Sequence, residues 1–528
     1  MAKETPKKKR QTWGSKLGII MAVAGSAVGL GNFLRFPVQA AGNGGGAFMI
    51  PYFISLFLLG IPLMWIEWAV GRYGGGFEHG TAPGIFHTLW EKNRFIKYFG
   101  VIGIFGPLVI LIYYTYIESW TLAYSFFAIT GRYASATGQE GIQSFLHAFQ
   151  GLEKNQYFNS FAISYTFFLI TFLLNMVVIY YGIKGGIERL CKFAMPTLFI
   201  FAALIAVRVL TLGAPDPTKP NWNSLNGLGF LWNPNFAALK DAKVWLAAAG
   251  QIFFTLSVGI GVILTYASYL SKGDDVALSG LSAVSTNEFA EIILGGSIVI
   301  PAAFVFFGPV GVQDVAKSGA FNLSFVTMPL ICQKIPLGAI FGCLWFLMLF
   351  LAGITSSVSL AQPAVAFMED EFDIDRKKAV WIFAIVCFIL CQPAIFLLGK
   401  GVVNELDFWG GTFCLVLFAT VETILFTWIF GMDKAWEEIH HGAIIRLPVI
   451  YKYIMKYITP AFLFFILGFW LYQEGISTIL MKNVSAADKP YVLFTRLMLL
   501  GMFLTLAILV KIAWRRKKLL AMKGVKVE

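Results

Sequence analysis

The chain has 528 residues, 58% of them hydrophobic and 13% charged, with a mean hydropathy of +0.72. No stretch separates a soluble domain, and the composition describes a polytopic membrane protein. The net charge of +12 does not point to nucleic acid, because the basic residues flank apolar runs instead of forming a basic soluble domain.

Apolar runs of about 20 residues or more recur from end to end, each long enough to cross a core of roughly 30 Å as a helix. They predict spans at 14–42, 47–73, 96–129, 161–183, 190–212, 242–271, 277–309, 338–369, 378–398, 403–430, 448–473 and 490–513. Lys7 to Arg10 precede the first and Arg515 to Lys518 follow the last, so both termini are expected in the cytoplasm of a multi-pass protein of the cell (inner) membrane. The remaining positive charge concentrates in loops that this orientation puts inside, and the longest linkers, about 130–160, 213–241 and 310–337, fall outside. The six cysteines, at 191, 332, 343, 387, 391 and 414, lie in or beside apolar segments, and no disulfide or metal framework is expected.

Within the first span runs Gly25-Ser-Ala-Val-Gly-Leu-Gly-Asn-Phe-Leu-Arg35. Glycines at 25, 29 and 31 make the backbone cheap to unwind. Unwinding frees amides and carbonyls, which survive at membrane depth only where protein, water or a ligand satisfies them. Val28 to Gly31 therefore read as a binding site built of main chain. Span six repeats the pattern: Ala27-Val28-Gly29-Leu30-Gly31 is echoed by Ser257-Val258-Gly259-Ile260-Gly261. With five crossings between them, the two breaks enter from opposite sides, which predicts an inverted repeat of five helices plus five.

A broken helix offers N–H groups where its second half starts and carbonyls where its first half stops. A carboxylate should sit against the Leu30 and Gly31 amides, and a cation or ammonium against the carbonyls of Gly25, Ala27, Val28, Phe254 and Thr255. Such a pair matches a zwitterion, and hard oxygens without a carboxylate cage suit a monovalent ion better than calcium. Asn32, Thr255, Asn287 and the run Thr355-Ser356-Ser357 add side-chain oxygens, and Tyr114 adds a phenol. Glu291, one helical turn after Asn287, is read as fixed negative charge balancing a bound cation. Glu67 and Glu422 are also intramembrane and are expected to bond to broken-helix backbone. Asp407 and Asp370, near span ends, are candidate partners for Arg35 and Arg10. The five histidines, at 79, 87, 147, 440 and 441, lie in loops or near membrane edges, and no Gly-Lys-Ser/Thr phosphate loop is present, so neither an enzyme nor direct ATP drive is expected.

These stretches, with Asn43-Gly-Gly-Gly-Ala-Phe48, Trp65-Ile-Glu-Trp68, Tyr113-Tyr114, Gln251-Ile-Phe-Phe-Thr-Leu-Ser257, Asn287-Glu288 and Asp407-Phe-Trp409, resemble bacterial members of the neurotransmitter:sodium symporter family over nearly the whole chain. The resemblance implies an all-α integral membrane protein of about 12 transmembrane helices, with a 5+5 inverted repeat and broken helices 1 and 6, the leucine-transporter-like fold. Its parts would be an N-terminal segment 1–13, repeats over 14–212 and 242–430, two further helices over 448–513, and a tail 514–528. The implied activity is sodium-coupled symport of neutral, apolar amino acids, with no organic cofactor and room for a homodimer.

Carried over residue by residue, one sodium site would use the Ala27 carbonyl, Asn32, Thr255, Asn287 and the substrate carboxylate. A second would use carbonyls of Gly25, Val28 and Ala352 with the hydroxyls of Thr355 and Ser356. Substrate would meet Ala27, Leu30, Gly31, Tyr114, Phe254, Thr255 and Ser257, with Tyr114 and Phe254 as a lid. Arg35 with Asp407 would gate the outside, and Arg10 with Asp370, helped by Ser268 and Tyr269, the inside. Glu291 resembles the carboxylate that replaces chloride in chloride-independent relatives. Ile110, Ile260, Ser356 and Leu360 shape the side-chain pocket. Ile260 stands where a bacterial relative carries Phe and Ser26 where it carries Asn, so a medium or bulky apolar side chain is expected.

Overall fold

The computed structural model describes residues 11–317 and 319–522. Among them the regular structure is helical with no sheet, and a single isolated bridge joins Gly45 to Pro234. This is what hydrocarbon demands, since a helix satisfies its own N–H and C=O groups.

The membrane helices, in chain order, are α1 (Lys16–Ala27), α2 (Leu30–Gly42), α3 (Gly46–Gly75), α4 (Ile96–Ile129), α5 (Ala162–Tyr180), α6 (Ile183–Leu210), α7 (Ala242–Leu256), α8 (Val262–Ala267), α9 (Ala277–Gln313), α10 (Gly338–Phe372), α11 (Arg376–Phe396), α12 (Val402–Ile429), α13 (Ile450–Ile479) and α14 (Lys489–Met522). Ten of these are singly long and apolar enough to cross a membrane, and α1 with α2 makes an eleventh span bent by 47°. The pair α7 and α8, parted by residues 257–261, occupies the place of the twelfth. The predicted span at 190 already begins at Ile183, through a wide turn of π type. The last helix runs on through Arg515 to Lys518, because Arg and Lys are good helix formers once a helix has been started. Shorter helices fill the longer linkers at Gly138–Gln150, Ser224–Trp232 and Met328–Lys334.

Both interruptions fall where the glycines predict them. At the first, Val28 (φ −73°, ψ 84°) and Gly29 (φ −112°, ψ −165°) leave the helical region. At the second, Ser257, Gly259 and Gly261 take φ of 53°, 78° and 80°. The left-handed conformation costs a non-glycine residue roughly 1–2 kcal/mol, which restricts the last two positions to glycine and leaves Ser257 strained. A Cβ at Gly261 would also come within 2.8 Å of the Gly103 Cα in α4.

The interior is buried around α1, α4, α8 and α10, with α4 and α10 packed along much of their lengths. By contrast, α13 and α14 turn Phe464, Phe465, Leu497, Leu500 and Leu504 outward, as lipid-facing surfaces should.

Candidate functional site

The two breaks meet in the middle of the molecule. The Ser257 hydroxyl donates to the Ser26 carbonyl at 2.9 Å, tying the end of α7 to the end of α1. Beside this contact lies a polar cluster from four helices. The Asn32 amide nitrogen donates to Asn287 Oδ1 (2.8 Å), Thr255 Oγ1 (3.0 Å) and Glu291 Oε2 (3.0 Å), and its oxygen accepts from the Gly29 N–H (2.9 Å). The Asn287 amide atom that faces Asn32 lies 3.2 Å from the Thr255 carbonyl and 3.3 Å from the Ala27 carbonyl. Turned as an oxygen, it converges on two carbonyl oxygens, an arrangement that a cation relieves; turned as a nitrogen, it donates to both. Ala27, Asn32, Thr255 and Asn287, the residues expected around one ion, are thus brought together.

A second group forms where α10 crosses the end of α1. Ser356 Oγ lies 3.4 Å from the Gly25 carbonyl, 3.2 Å from that of Ser26 and 3.1 Å from that of Ala352, and Thr355 Oγ1 donates to Ala352 at 3.1 Å. Gly25 packs closely here, since a Cβ on it would lie 3.2 Å from the Thr355 Cβ. Val28, the remaining expected ligand, sits in the break itself. None of these residues bears charge. Uncharged hard oxygens of this kind suit a monovalent ion better than a divalent one, and among the described residues no group of three or more His, Cys, Asp or Glu side chains is placed to hold a metal.

Residues of both groups line a cavity of about 50 Å³, with Ala27, Leu30, Gly31, Ile110, Tyr114 and Phe254 in its wall. Thr255, Ser257, Ile260, Ser356 and Leu360 also face it, so every residue expected to touch substrate is there. The Leu30 N–H donates to the Tyr114 hydroxyl at 3.3 Å, so one freed amide of α2 points at the phenol. Ser26 and Ser359 face the cavity too, with hydroxyls 2.8 Å apart, and Ser359 donates to the Ser356 carbonyl. Ser359, Gly411 and Leu415 are lining residues that sequence reasoning did not pick out, since none stands in a motif.

A larger cavity of about 260 Å³ adjoins it, lined by Arg35, Phe253, Phe408, Thr412, Trp470 and Gln473 among others, and the two share Phe254, Gly411 and Leu415. Together with Gly411 and Leu415, Phe254 therefore forms the partition. Arg35 stacks on its ring with the guanidinium carbon 4.4 Å from the centroid, and Asp407 accepts instead from the Tyr113 hydroxyl at 2.6 Å. The expected outer pair is electrostatically close but makes no ion pair within 4.0 Å. On the opposite side the passage is closed. Ser268 and Tyr269 are 2% and 5% exposed, Trp13 Nε1 donates to the Tyr266 carbonyl at 2.9 Å, and Tyr269 accepts from Gln362 at 2.9 Å. Arg10 lies outside the described residues, and with it the expected pairing to Asp370.

Three sets of buried carboxylates surround the site. Glu291, fully buried in the wide turn Phe289–Gly295, accepts from Asn32, from Gln251 (2.8 Å), from Tyr52 (3.1 Å) and from the Thr255 hydroxyl. Glu67 accepts the Gly259 N–H of the second break, as its sequence context predicts, whereas Glu422 faces Glu67. The third was missed: Glu118, inside α4, accepts from Asn175 (3.1 Å) and from Ser357. An acid in mid-span was a visible signal for it.

A family model described as the sodium:neurotransmitter symporter family matches residues 10–144 and 150–517. An uncharacterized sodium-dependent transporter of Methanocaldococcus jannaschii is 32% identical over 516 residues, covering 95% of this chain and 98% of that protein. The sodium- and chloride-dependent glycine transporter 2 of Xenopus laevis is 26% identical, over 88% of this chain and 65% of its own length. Among solved structures, that of MhsT in complex with L-phenylalanine superposes with a TM-score of 0.74 at 30% identity, covering 87% of this chain and 99% of that one. The chain is an integral membrane protein with the leucine-transporter-like fold and a sodium-dependent transporter, not an enzyme; it belongs to the sodium:neurotransmitter symporter family.

Proposed function

We propose that this protein carries neutral, apolar amino acids across the cell membrane together with sodium, by alternating access and without a need for chloride. The observation that carries this reading is the meeting of the two breaks, where the Ser257 hydroxyl reaches the Ser26 carbonyl and the cavity is lined by residues of both oxygen clusters. The order of the freed groups suits a zwitterion. Its carboxylate goes to the Leu30 and Gly31 amides at the start of α2, where the helix dipole favours negative charge, and to the Tyr114 hydroxyl. Its ammonium goes to the carbonyls of Ala27, Phe254 and Thr255 and to the Ser257 hydroxyl.

One sodium ion would lie among Ala27, Asn32, Thr255, Asn287 and the substrate carboxylate, so that substrate completes the ion's shell and the two bind as a pair. A second would lie among Gly25, Val28, Ala352, Thr355 and Ser356, fastening α1 to α10. Glu291 supplies the negative charge that chloride would otherwise bring. Phe254 and Tyr114 close over the substrate, Arg35 and Asp407 seal the outer side, and the buried Ser268 and Tyr269 mark the inner gate. Both termini are taken as cytoplasmic. The relative solved with L-phenylalanine supports an apolar amino acid. The test is uptake of a labelled amino-acid panel into proteoliposomes with sodium, potassium or choline outside. Sodium-dependent uptake of apolar amino acids is expected, and uptake indifferent to the cation would refute symport.

A further inference from the structure

A side-chain cluster separate from the two cavities and the oxygen clusters lies at the end of the molecule where the last helix leaves the membrane. His79 Nδ1 is 2.9 Å from Glu371 Oε1, and Lys517 Nζ is 2.7 Å from Glu371 Oε2. The Glu371 side chain is completely buried, so its two partners are what hold its charge there. His79 comes from the turn after α3, Glu371 from the end of α10, and Lys517 from α14. The helix around Lys517 is itself fixed. Trp514 stacks parallel to His79 with centroids 6.1 Å apart, meets His87 edge-on at 5.8 Å, and lies 4.9 Å below the Lys97 ammonium. Arg516 pairs with Asp373 at 3.0 Å. Two basic side chains of α14 thus grip one acidic helix end, and Trp514 packs on the histidine that faces it.

The turn that carries His79 is coupled to the inner gate. The α3 glycines below it let α8 approach closely: a Cβ at Gly71 would lie 2.8 Å from the Ala267 Cβ, and one at Gly75 would lie 2.8 Å from the Ser268 backbone carbon. Ser268 Oγ also lies 3.5 Å from the Gly80 carbonyl, next to His79 in the chain. With contacts this tight, α8 cannot swing away from α10 without carrying the His79 turn along, and that motion stretches the bond from His79 to Glu371.

We propose that His79, Glu371 and Lys517 are positioning residues for the inner gate: Lys517 holds the Glu371 carboxylate where His79 can bind it, and the gate stays shut while that bond lasts. The inference rests on the proposed function only in taking this end as the cytoplasmic one. It concerns the gate's closed state and no ligand.

Hydrogen–deuterium exchange of the full chain in sodium reads this directly. In Lys517→Ala and in His79→Ala, exchange over residues 262–270 should rise roughly two- to tenfold, the range expected for loss of a partly buried ion pair. Lys517→Arg should restore the wild-type rate, Lys518→Ala should match wild type, and segments lining the larger cavity should not change in any variant. Unchanged exchange over 262–270 in both Lys517→Ala and His79→Ala would overturn the proposal, as would an equal rise in Lys518→Ala. If His79→Ala does not fold, the comparison of Lys517→Ala with Lys517→Arg decides alone. Uptake by the wild type is scored separately: a wild type that transports no amino acid defeats the proposed function while leaving the exchange comparison intact.

Discussion

The Asn32 amide nitrogen lies 3.0 Å from a carboxylate oxygen of Glu291, and the same nitrogen lies 3.0 Å from the Thr255 hydroxyl. In the proposed reading Asn32 and Thr255 are ion ligands and Glu291 is a fixed negative charge; the three belong to one hydrogen-bonded unit, so charge at Glu291 would be felt at the ion without touching it. If that charge stands in for chloride, Glu291→Ser should make transport need chloride. Sodium-driven uptake at low chloride should fall about tenfold or more, equivalent to at least about 1.4 kcal/mol, and added chloride should recover it. Uptake by the variant that ignores chloride, whether high or low, would contradict the role.

The Thr255 hydroxyl is shared by Asn32, Asn287 and Glu291. Thr255→Val keeps the shape and removes the oxygen, leaving buried partners unmatched at about 1–3 kcal/mol. The sodium concentration for half-maximal substrate binding should rise by about one order of magnitude, read by scintillation proximity over a sodium titration. An unchanged sodium dependence would remove Thr255 from the ion site.

Gly31 faces the Phe254 ring so closely that a Cβ there would come within 2.8 Å of Cδ1. Gly31→Ala should displace the ring and weaken substrate binding by about 1–3 kcal/mol, the usual range for overpacking. Adding Phe254→Leu to the same chain should recover part of the loss, because the smaller side chain vacates the space. A double variant no better than Gly31→Ala would show that the glycine acts through something other than the partition.

Ile110, Ile260 and Leu360 set the apolar wall of the small cavity. Ile260→Ala should shift preference toward larger apolar side chains, by about 1–3 kcal/mol per methylene accommodated. Competition uptake of alanine against phenylalanine reads this shift as a ratio. An unaltered ratio would exclude Ile260 from the side-chain pocket.

The breaks were legible in sequence because they rest on local chemistry: Gly259 and Gly261 adopt φ that only glycine takes readily, and Gly29 leaves room for the Ser356 and Tyr114 hydroxyls, which lie 2.9 and 3.2 Å from where a Cβ would stand. The hydroxyl run at Thr355 and Ser356 and the amide at Asn287 were legible because polar groups at mid-membrane depth need partners. What remained hidden depends on long-range packing. Nothing near Arg35 in the chain announces that its guanidinium stacks on Phe254 while Asp407 turns to Tyr113. Ser359 gains its place only from helix phase, three residues beyond Ser356. The grip of Lys517 on Glu371 joins positions 146 residues apart across a helix whose continuation past the apolar run no hydropathy window reveals.

The central claim is that substrate and sodium share a bond between the two interrupted helices. Linkage makes it measurable: if saturating sodium tightens substrate binding by some factor, saturating substrate must tighten sodium binding by that same factor. Titrating labelled apolar amino acid across sodium concentrations, and sodium across amino-acid concentrations, on the same purified protein gives both. Equal factors well above unity, lost in Asn32→Ala, are the predicted result. Substrate binding of the same strength in sodium and in choline would contradict the account.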